Sequence, residues 1–307
     1  MKVLQILPQL NIGGVERGTL DLSKALIHKG HQSFVISGGG VLVDELTQCG
    51  AKHYEIPVHI KSLRTLSLAK RLSETISSID PDIVHVRSRM PAWVNYRAFK
   101  MLQKKPLLVS TFHGLYSFPI YSKVMSFVDH SIAISKTVER YILENYKLDK
   151  GDITVIPRGC DPLEFNNEVI NPVDKANIIE EFPQIVGKKV LTIPGRITKW
   201  KGVAEFIDLL SLLDDNYHGL VVGPTAKSKK KYLNKLQYKV SSLNLEDKIT
   251  FTGSRRDIAN IYKISDIVFN LSQTPEPFGR TMIEAIACGA KVVGWNLSLI
   301  HISEPTR

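Results

Sequence analysis

Two carboxylates eight positions apart, Glu276 and Glu284, frame the segment DIVFNLSQTPEPFGRTMIEAIACGAKVV. Each carboxylate offers two acceptor oxygens, so the pair suits a hydroxyl-rich ligand such as a sugar. The segment reads as a strand running into Pro275-Glu276-Pro277-Phe278-Gly279, then a helix from near Arg280 to Gly289. The first amides of that helix, at Gly279, Arg280 and Thr281, have no intrahelical acceptor and are available to a diphosphate. The plainer alternative is that Glu276 complements the helix dipole and Glu284 lies on the surface. Ile283, Ala285 and Ile286 around Glu284 argue against it.

Cations occupy an equivalent position upstream. Gly195-Arg196 ends the strand VLTIP, and Lys201-Gly202 opens the helix VAEFIDLLSLL. An arginine fork, a lysine point charge and a helix amino terminus together make an anion site, although two solvated charges would read the same singly. Gly13 and Gly14 follow the first strand and precede a helix; they fit either close approach to a phosphate or sugar, or a tight turn, and with Gly18 they do not spell GxGxxG. His113, in Thr111-Phe112-His113-Gly114 after the strand PLLVS, is placed to donate a hydrogen bond to a sugar, to act on a proton, or to be structural. Asp80-Pro81-Asp82 has the spacing of a metal-binding pair but precedes the strand DIVHV, at the wrong end of a parallel sheet, and reads as a turn. Cys49, Cys160 and Cys288 form neither a CxxC nor a ligand set, so neither a disulfide framework nor a zinc site is expected, and no other motif calls for a metal or cofactor.

These residues gain meaning from the elements that hold them. Strands and helices alternate from KVLQILPQL onward, and a second series starts near KKVLTIPGR, which predicts parallel sheets with helices on their faces. The helix after Gly14 shows an apolar stripe at Leu20, Leu22, Ala25 and Leu26. VIPRGCDPLEFNNEVINPVD lacks periodicity and reads as a connection, giving domains at 1–165 and 188–296 with a linker at 166–187. A chain of 307 residues, 43% hydrophobic and 23% charged, suits two such domains and excludes disorder and coiled coil. No apolar run is long enough for a signal peptide or a membrane span. The net charge of +10 is uneven, with 21 Lys+Arg against 13 Asp+Glu in residues 1–160. That excess invites a phosphate-rich partner or an anionic membrane. Nucleic acid is disfavoured, because the basic residues lack interleaved aromatics and a recognition module.

Taken in order, GGVERG, DPDIVHVRSR before PAW, STFHGLYS, IAISKTVER, VIPRGCD, GRITKWKG, FTGSRRD and EPFGRTMIEAIACG resemble the retaining, nucleotide-sugar-dependent glycosyltransferases of family 4, which have the GT-B fold. The resemblance runs from residue 1 to about 296. It implies two Rossmann-like α/β domains with parallel sheets facing a cleft, the acceptor on the first and the donor on the second. Carried over by position, Arg196 and Lys201 would hold the donor diphosphate with the amides of Gly279, Arg280 and Thr281. Glu284 would hold the ribose, and Glu276 with the Phe278-Gly279-Arg280 backbone the transferred sugar. Gly13 and Gly14 would lie near donor and acceptor, and His113 would touch the sugar. A UDP-sugar is the expected donor and a GDP-sugar the alternative. The expected acceptor is an envelope glycan or a lipid-linked molecule, as in lipopolysaccharide or polysaccharide biosynthesis. The expected setting is cytoplasmic and peripheral to the inner face of a membrane, docked through Lys61, Arg64, Lys70, Arg71, Arg87, Arg89, Arg97, Lys100, Lys104 and Lys105. A run of lysines from Lys227 to Lys239 reads instead as a solvated helix face. An inactive nucleotide-sugar-binding fragment and a GT-B nucleotide-sugar epimerase are the other readings. After AKVVGWN the family pattern continues with further βα units, whereas this chain gives LSLIHISEPTR. The expectation is therefore an incomplete second domain, a foreign segment at 297–307, and a chain that is unstable or inactive as written.

Overall fold

The computed structural model describes residues 1–11, 13–60, 63–116, 119–274 and 276–295. The chain divides into two compact units, Met1–Arg158 and Gly159–Arg307. The first carries β1 (Lys2–Ile6), α1 (Gly14–His28), β2 (Gln32–Ser37), α2 (Val43–Gln48), β3 (Lys52–Glu55), α3 (Ala69–Ile79), β4 (Ile83–Val86), α4 (Arg89–Phe99), β5 (Leu107–Phe112), α5 (Pro119–Ser122), β6 (His130–Ala133), α6 (Lys136–Asn145) and β7 (Ile153–Val155). The second carries α7 (Pro172–Glu181), β8 (Lys189–Pro194), α8 (Val203–Ser211), β9 (Tyr217–Val222), α9 (Lys230–Ser242), β10 (Ile249–Gly253), α10 (Ile258–Ile264), β11 (Ile267–Asn270), α11 (Arg280–Ala287) and β12 (Lys291–Gly294). Among the described residues every strand pairing is parallel, in the orders β3-β2-β1-β4-β5-β6-β7 and β10-β9-β8-β11-β12. These are two Rossmann-like domains.

Both sheets reverse their strand order beside their central strand. Ligands of such sheets bind at the reversal, beyond the carboxyl ends of the strands. In the first unit that point lies after β1 and β4; in the second it lies after β8 and β11.

Central strands are buried on both faces, which is why they read as continuous apolar runs. Val3, Leu4 and Ile6 of β1 and Val190, Leu191 and Ile193 of β8 are buried. Polar residues break the pattern only where they find partners. Gln5 is fully buried and donates from Nε2 to the Thr19 carbonyl at 3.1 Å and to Ser23 Oγ at 3.0 Å, both on α1. This polar seam turns α1: Thr19, Leu20 and Ser23 face the sheet, and Ala25, expected in the apolar stripe, is exposed. In the second unit Phe206, Ile207 and Leu210 of α8 pack on Leu191, Ile193 and Phe269, each fully buried side chain contributing about 1.5–3 kcal/mol.

The segment read as a linker is structured. Asn171 caps α7 by accepting from Val173 N–H at 2.9 Å, Pro172 opens the helix, and Ile178, Phe182 and Ile185 join a core with Val190, Leu220 and Ile261. Phe165 and Cys160 likewise pack beside Tyr262, Val268 and Ala285 in the second unit. β3 and β7, which the sequence did not reveal, are edge strands of four and three residues.

Candidate functional site

In the second unit the loops after β8 and β11 meet. Gly202, with φ of +76°, caps α8 and lies against the end of β11, where a Cβ would fall on the Leu271 carbonyl oxygen and 2.5 Å from Leu271 Cβ. That approach brings Lys201 to Glu276: Lys201 Nζ donates to Glu276 Oε1, and Ser272 Oγ donates to the same oxygen. The pair is largely buried, with side chains 15% and 8% exposed, and the Lys201 ammonium lies 4.5 Å from the Trp200 ring centroid. A buried pair that is hydrogen-bonded on one oxygen keeps the other available. Arg196 is exposed at the end of β8.

Gly279, with φ of +73°, caps α11, so the helix begins at Arg280 as the sequence indicates, and Gly289 at φ of +84° follows its end. Glu284 is buried, not a surface residue; Arg280 Nε donates to its Oε1 at 2.7 Å, a contact one turn apart on the helix. The Arg280 side chain is thus turned to Glu284. Burial and then the Glu284 carboxylate push the nearby Cys160 thiol up, and burial pushes Tyr262 well up. The three cysteines are free thiols.

In the first unit the loops after β1, β4, β5 and β7 converge on the start of α1. Arg87, at the end of β4, is 6% exposed and donates from Nη1 to Gln5 Oε1 at 2.9 Å. Burial first, and then Arg158, push its guanidinium down to about 9, so it stays charged at neutral pH. Arg158 donates to the Gly14 carbonyl and to His113 Nδ1. A guanidinium only donates, so His113 Nδ1 is the acceptor and the neutral ring carries its hydrogen on Nε2. Burial, followed by Arg87 and Arg158, holds His113 well below the usual histidine range. His85 is also buried and held neutral, paired through Nε2 with Thr111 Oγ1 at 2.7 Å.

Arg87 therefore does not belong to a basic docking face, and sequence reasoning missed both it and Arg158 as parts of this cluster. Position was the available signal, since each follows the carboxyl end of a strand. Arg89 is also engaged: it lies 4.8 Å from the Tyr116 ring and 5.4 Å from that of Tyr121. Lys70, Arg71, Arg97, Lys100, Lys104 and Lys105 are exposed. Lys61 and the side chains of Arg64 and Lys227 lie outside the described residues, as does 297–307. No helix among the described residues is long and apolar enough to cross a membrane, and none of their His, Cys, Asp and Glu side chains gather as a metal-ligand cluster.

Two family profiles cover the chain in succession, Glycosyltransferase Family 4 over residues 12–163 and Glycosyl transferases group 1 over 174–300. The crystal structure of a glycosyltransferase from Rickettsia africae ESF-5 superposes with a TM-score of 0.87 at 34% identity, covering 99% of this chain and 82% of that one. The chain is a family 4 glycosyltransferase of GT-B fold. An N-acetyl-alpha-D-glucosaminyl L-malate synthase of Bacillus anthracis is 24% identical over 305 residues, covering 92% of this glycosyltransferase and 76% of the synthase. The fold also matches the Anabaena protein HepE, crystallised with UDP and with UDP-glucose, at a TM-score of 0.84 and 21% identity. That match covers 100% of this chain and 84% of HepE in its UDP complex.

Proposed function

We propose that this glycosyltransferase moves a sugar from a nucleoside diphosphate sugar, UDP being the first candidate base and GDP the second, to an envelope glycan or lipid-linked acceptor with retention of anomeric configuration. The second unit, Gly159–Arg307, carries the donor and the first, Met1–Arg158, the acceptor. The observation that supports this reading best is the meeting of Lys201 and Glu276 where the strand order of the second sheet reverses.

In this reading Arg196 and Lys201 hold the diphosphate together with the amides of Gly279, Arg280 and Thr281. Charge grows on the leaving diphosphate as the sugar bond breaks. Fixed cations and the α8 and α11 amino termini stabilise that charge without a metal ion. Glu284, held by Arg280, accepts from the ribose hydroxyls. Glu276 has one oxygen held by Lys201 and Ser272, and uses the other on the transferred sugar. The binding of UDP by HepE favours uridine. The exposed basic residues of α3 and α4 support docking on an anionic membrane, where each contributes on the order of 1 kcal/mol.

The test is donor binding and sugar transfer by the chain with UDP-sugars and GDP-sugars. Removing one charge-assisted contact in Lys201→Ala or Glu284→Ala should weaken donor binding or turnover at least tenfold, about 1.5–3 kcal/mol. Unchanged turnover in both variants would sink the proposal, and donor binding with no transfer or hydrolysis would favour a non-catalytic binding role.

A further inference from the structure

We infer that the first unit holds an oxyanion site of its own, formed by Arg87, Arg158 and the Nε2–H of His113 beside the first turns of α1, and that it takes a phosphate or carboxylate group. The inference rests on side chains of the first unit and goes beyond the donor reading above.

Two buried donors there have no partner: Nε of Arg87, on a side chain more than nine-tenths buried, and Nε2 of His113. The His113 nitrogen must be a donor, because Arg158 occupies Nδ1. A buried donor without an acceptor carries an uncompensated desolvation cost, so such atoms mark a place where an acceptor is supplied from outside.

The two guanidinium groups also crowd one point. A Cβ on Gly18 would lie 3.2 Å from Arg158 Nη1 and 3.3 Å from Arg87 Nη2, so both reach the space over this glycine. The charged groups facing them from α1 are Glu16 and Asp21, which offset part of the positive charge, and from the sheet they face His85, held neutral. The Glu16 carboxylate itself packs against Gly13 at the helix start, where a Cβ would meet its Oε2. A planar fork and a neutral imidazole N–H are the donors expected for a phosphate or carboxylate oxygen.

The ligand group has two sources: an acidic acceptor, or the donor's own diphosphate. Inorganic phosphate, titrated calorimetrically into the full chain at constant ionic strength with chloride as control, is the probe, and the His113 ring nitrogens are followed by long-range ¹⁵N NMR. The expected result is an Nε2–H tautomer whose signal moves with phosphate. Arg87→Gln and His113→Gln should each weaken phosphate tenfold or more at this site, whereas Lys235→Gln on the exposed face of α9 should not. Gly18→Ala, which keeps every charge and narrows the space, is the second variant and should weaken it as well. If added UDP displaces phosphate from the His113 signal, the site takes the donor's diphosphate; if both bind together, it takes an acidic acceptor. A His113 signal unmoved by phosphate in wild type, or phosphate affinity unchanged in folded Arg87→Gln and Gly18→Ala, would overturn the inference.

Discussion

Replacing Gly202 by alanine tests whether the close approach of two loops is what assembles the donor half of the site. Its φ of +76° costs an L side chain roughly 1–2 kcal/mol. The added Cβ also lands on the Leu271 backbone, 2.6 Å from its carbonyl carbon, and relieving such an overlap in a packed region costs about 1–3 kcal/mol more. Together these give about 2–5 kcal/mol. Gly187 supplies the control, because its φ of +72° is nearly the same but nothing lies within 4 Å of its Cβ position. Gly187→Ala should therefore lose only the backbone part, about 1–2 kcal/mol. Amide hydrogen exchange in β8 and β11 reports on the second unit alone, which avoids treating a two-unit chain as a single transition. Exchange there should accelerate by between one and four decades in Gly202→Ala and by no more than about one and a half in Gly187→Ala, at 1.36 kcal/mol per decade. Donor affinity should fall in the first variant and persist in the second. Equal effects of the two substitutions would show that the Leu271 contact positions nothing.

Three further outcomes are expected. Folded His85 and His113 stay neutral while the unfolded chain binds protons below pH 6.5, so stability should fall as pH drops from 6.5 toward 5.5; each contributes up to about 1.4 kcal/mol per pH unit, urea melts monitored on β4 and β5 measure it, and a flat profile would contradict the burial argument. Lys201→Met leaves the buried Glu276 carboxylate without its cation and should cost about 3–5 kcal/mol, whereas Lys201→Met combined with Glu276→Leu should recover most of that; a double variant as unstable as the single one would refute the pairing. Gln5→Leu removes the acceptor of Arg87 Nη1 and should cost about 1–3 kcal/mol by thermal melting, with protection lost first in β1 and α1.

The alternation of strands and helices was legible because buried parallel strands are apolar without interruption, and the positions of Arg196, Lys201, Glu276 and Glu284 followed from where those strands end. The cap at Gly279 and the end of α11 near Gly289 were equally visible, since glycine at a left-handed position has a local cause. The edge strands of the first sheet, β3 and β7, were not, although β10 and β12 at the edges of the second were. The KHYE of β3 carries its apolar content on one side chain and is held in place by its neighbour β2, a long-range cause that no local pattern contains. α7 was hidden by the Asn and Pro content of its surroundings, although Asn171-Pro172 is itself a start signal. Arg87 was assigned to the surface on charge alone, yet its burial depends on Gln5, 82 positions earlier. Ala25 faced solvent for the same kind of reason: Ser23, a polar residue, took the sheet-facing place because Gln5 and Ser33 waited beneath it.

The placement of β1 and β8 inside their sheets, flanked by a strand on each side, bears on how the chain is made. Each is the first strand of its sheet to leave the ribosome, so each sheet grows outward from its oldest member. One edge of β1 gains β2 soon after synthesis, but the other stays open until β4 emerges at Ile83; one edge of β8 waits in the same way for β11 at Ile267. At roughly 5–20 residues per second each wait lasts about 4–15 seconds, during which an apolar strand edge is exposed on the nascent chain. Those two intervals are when chaperone capture should be strongest, and ribosome-bound fragments ending just before and just after β4 or β11 would differ sharply in protease resistance.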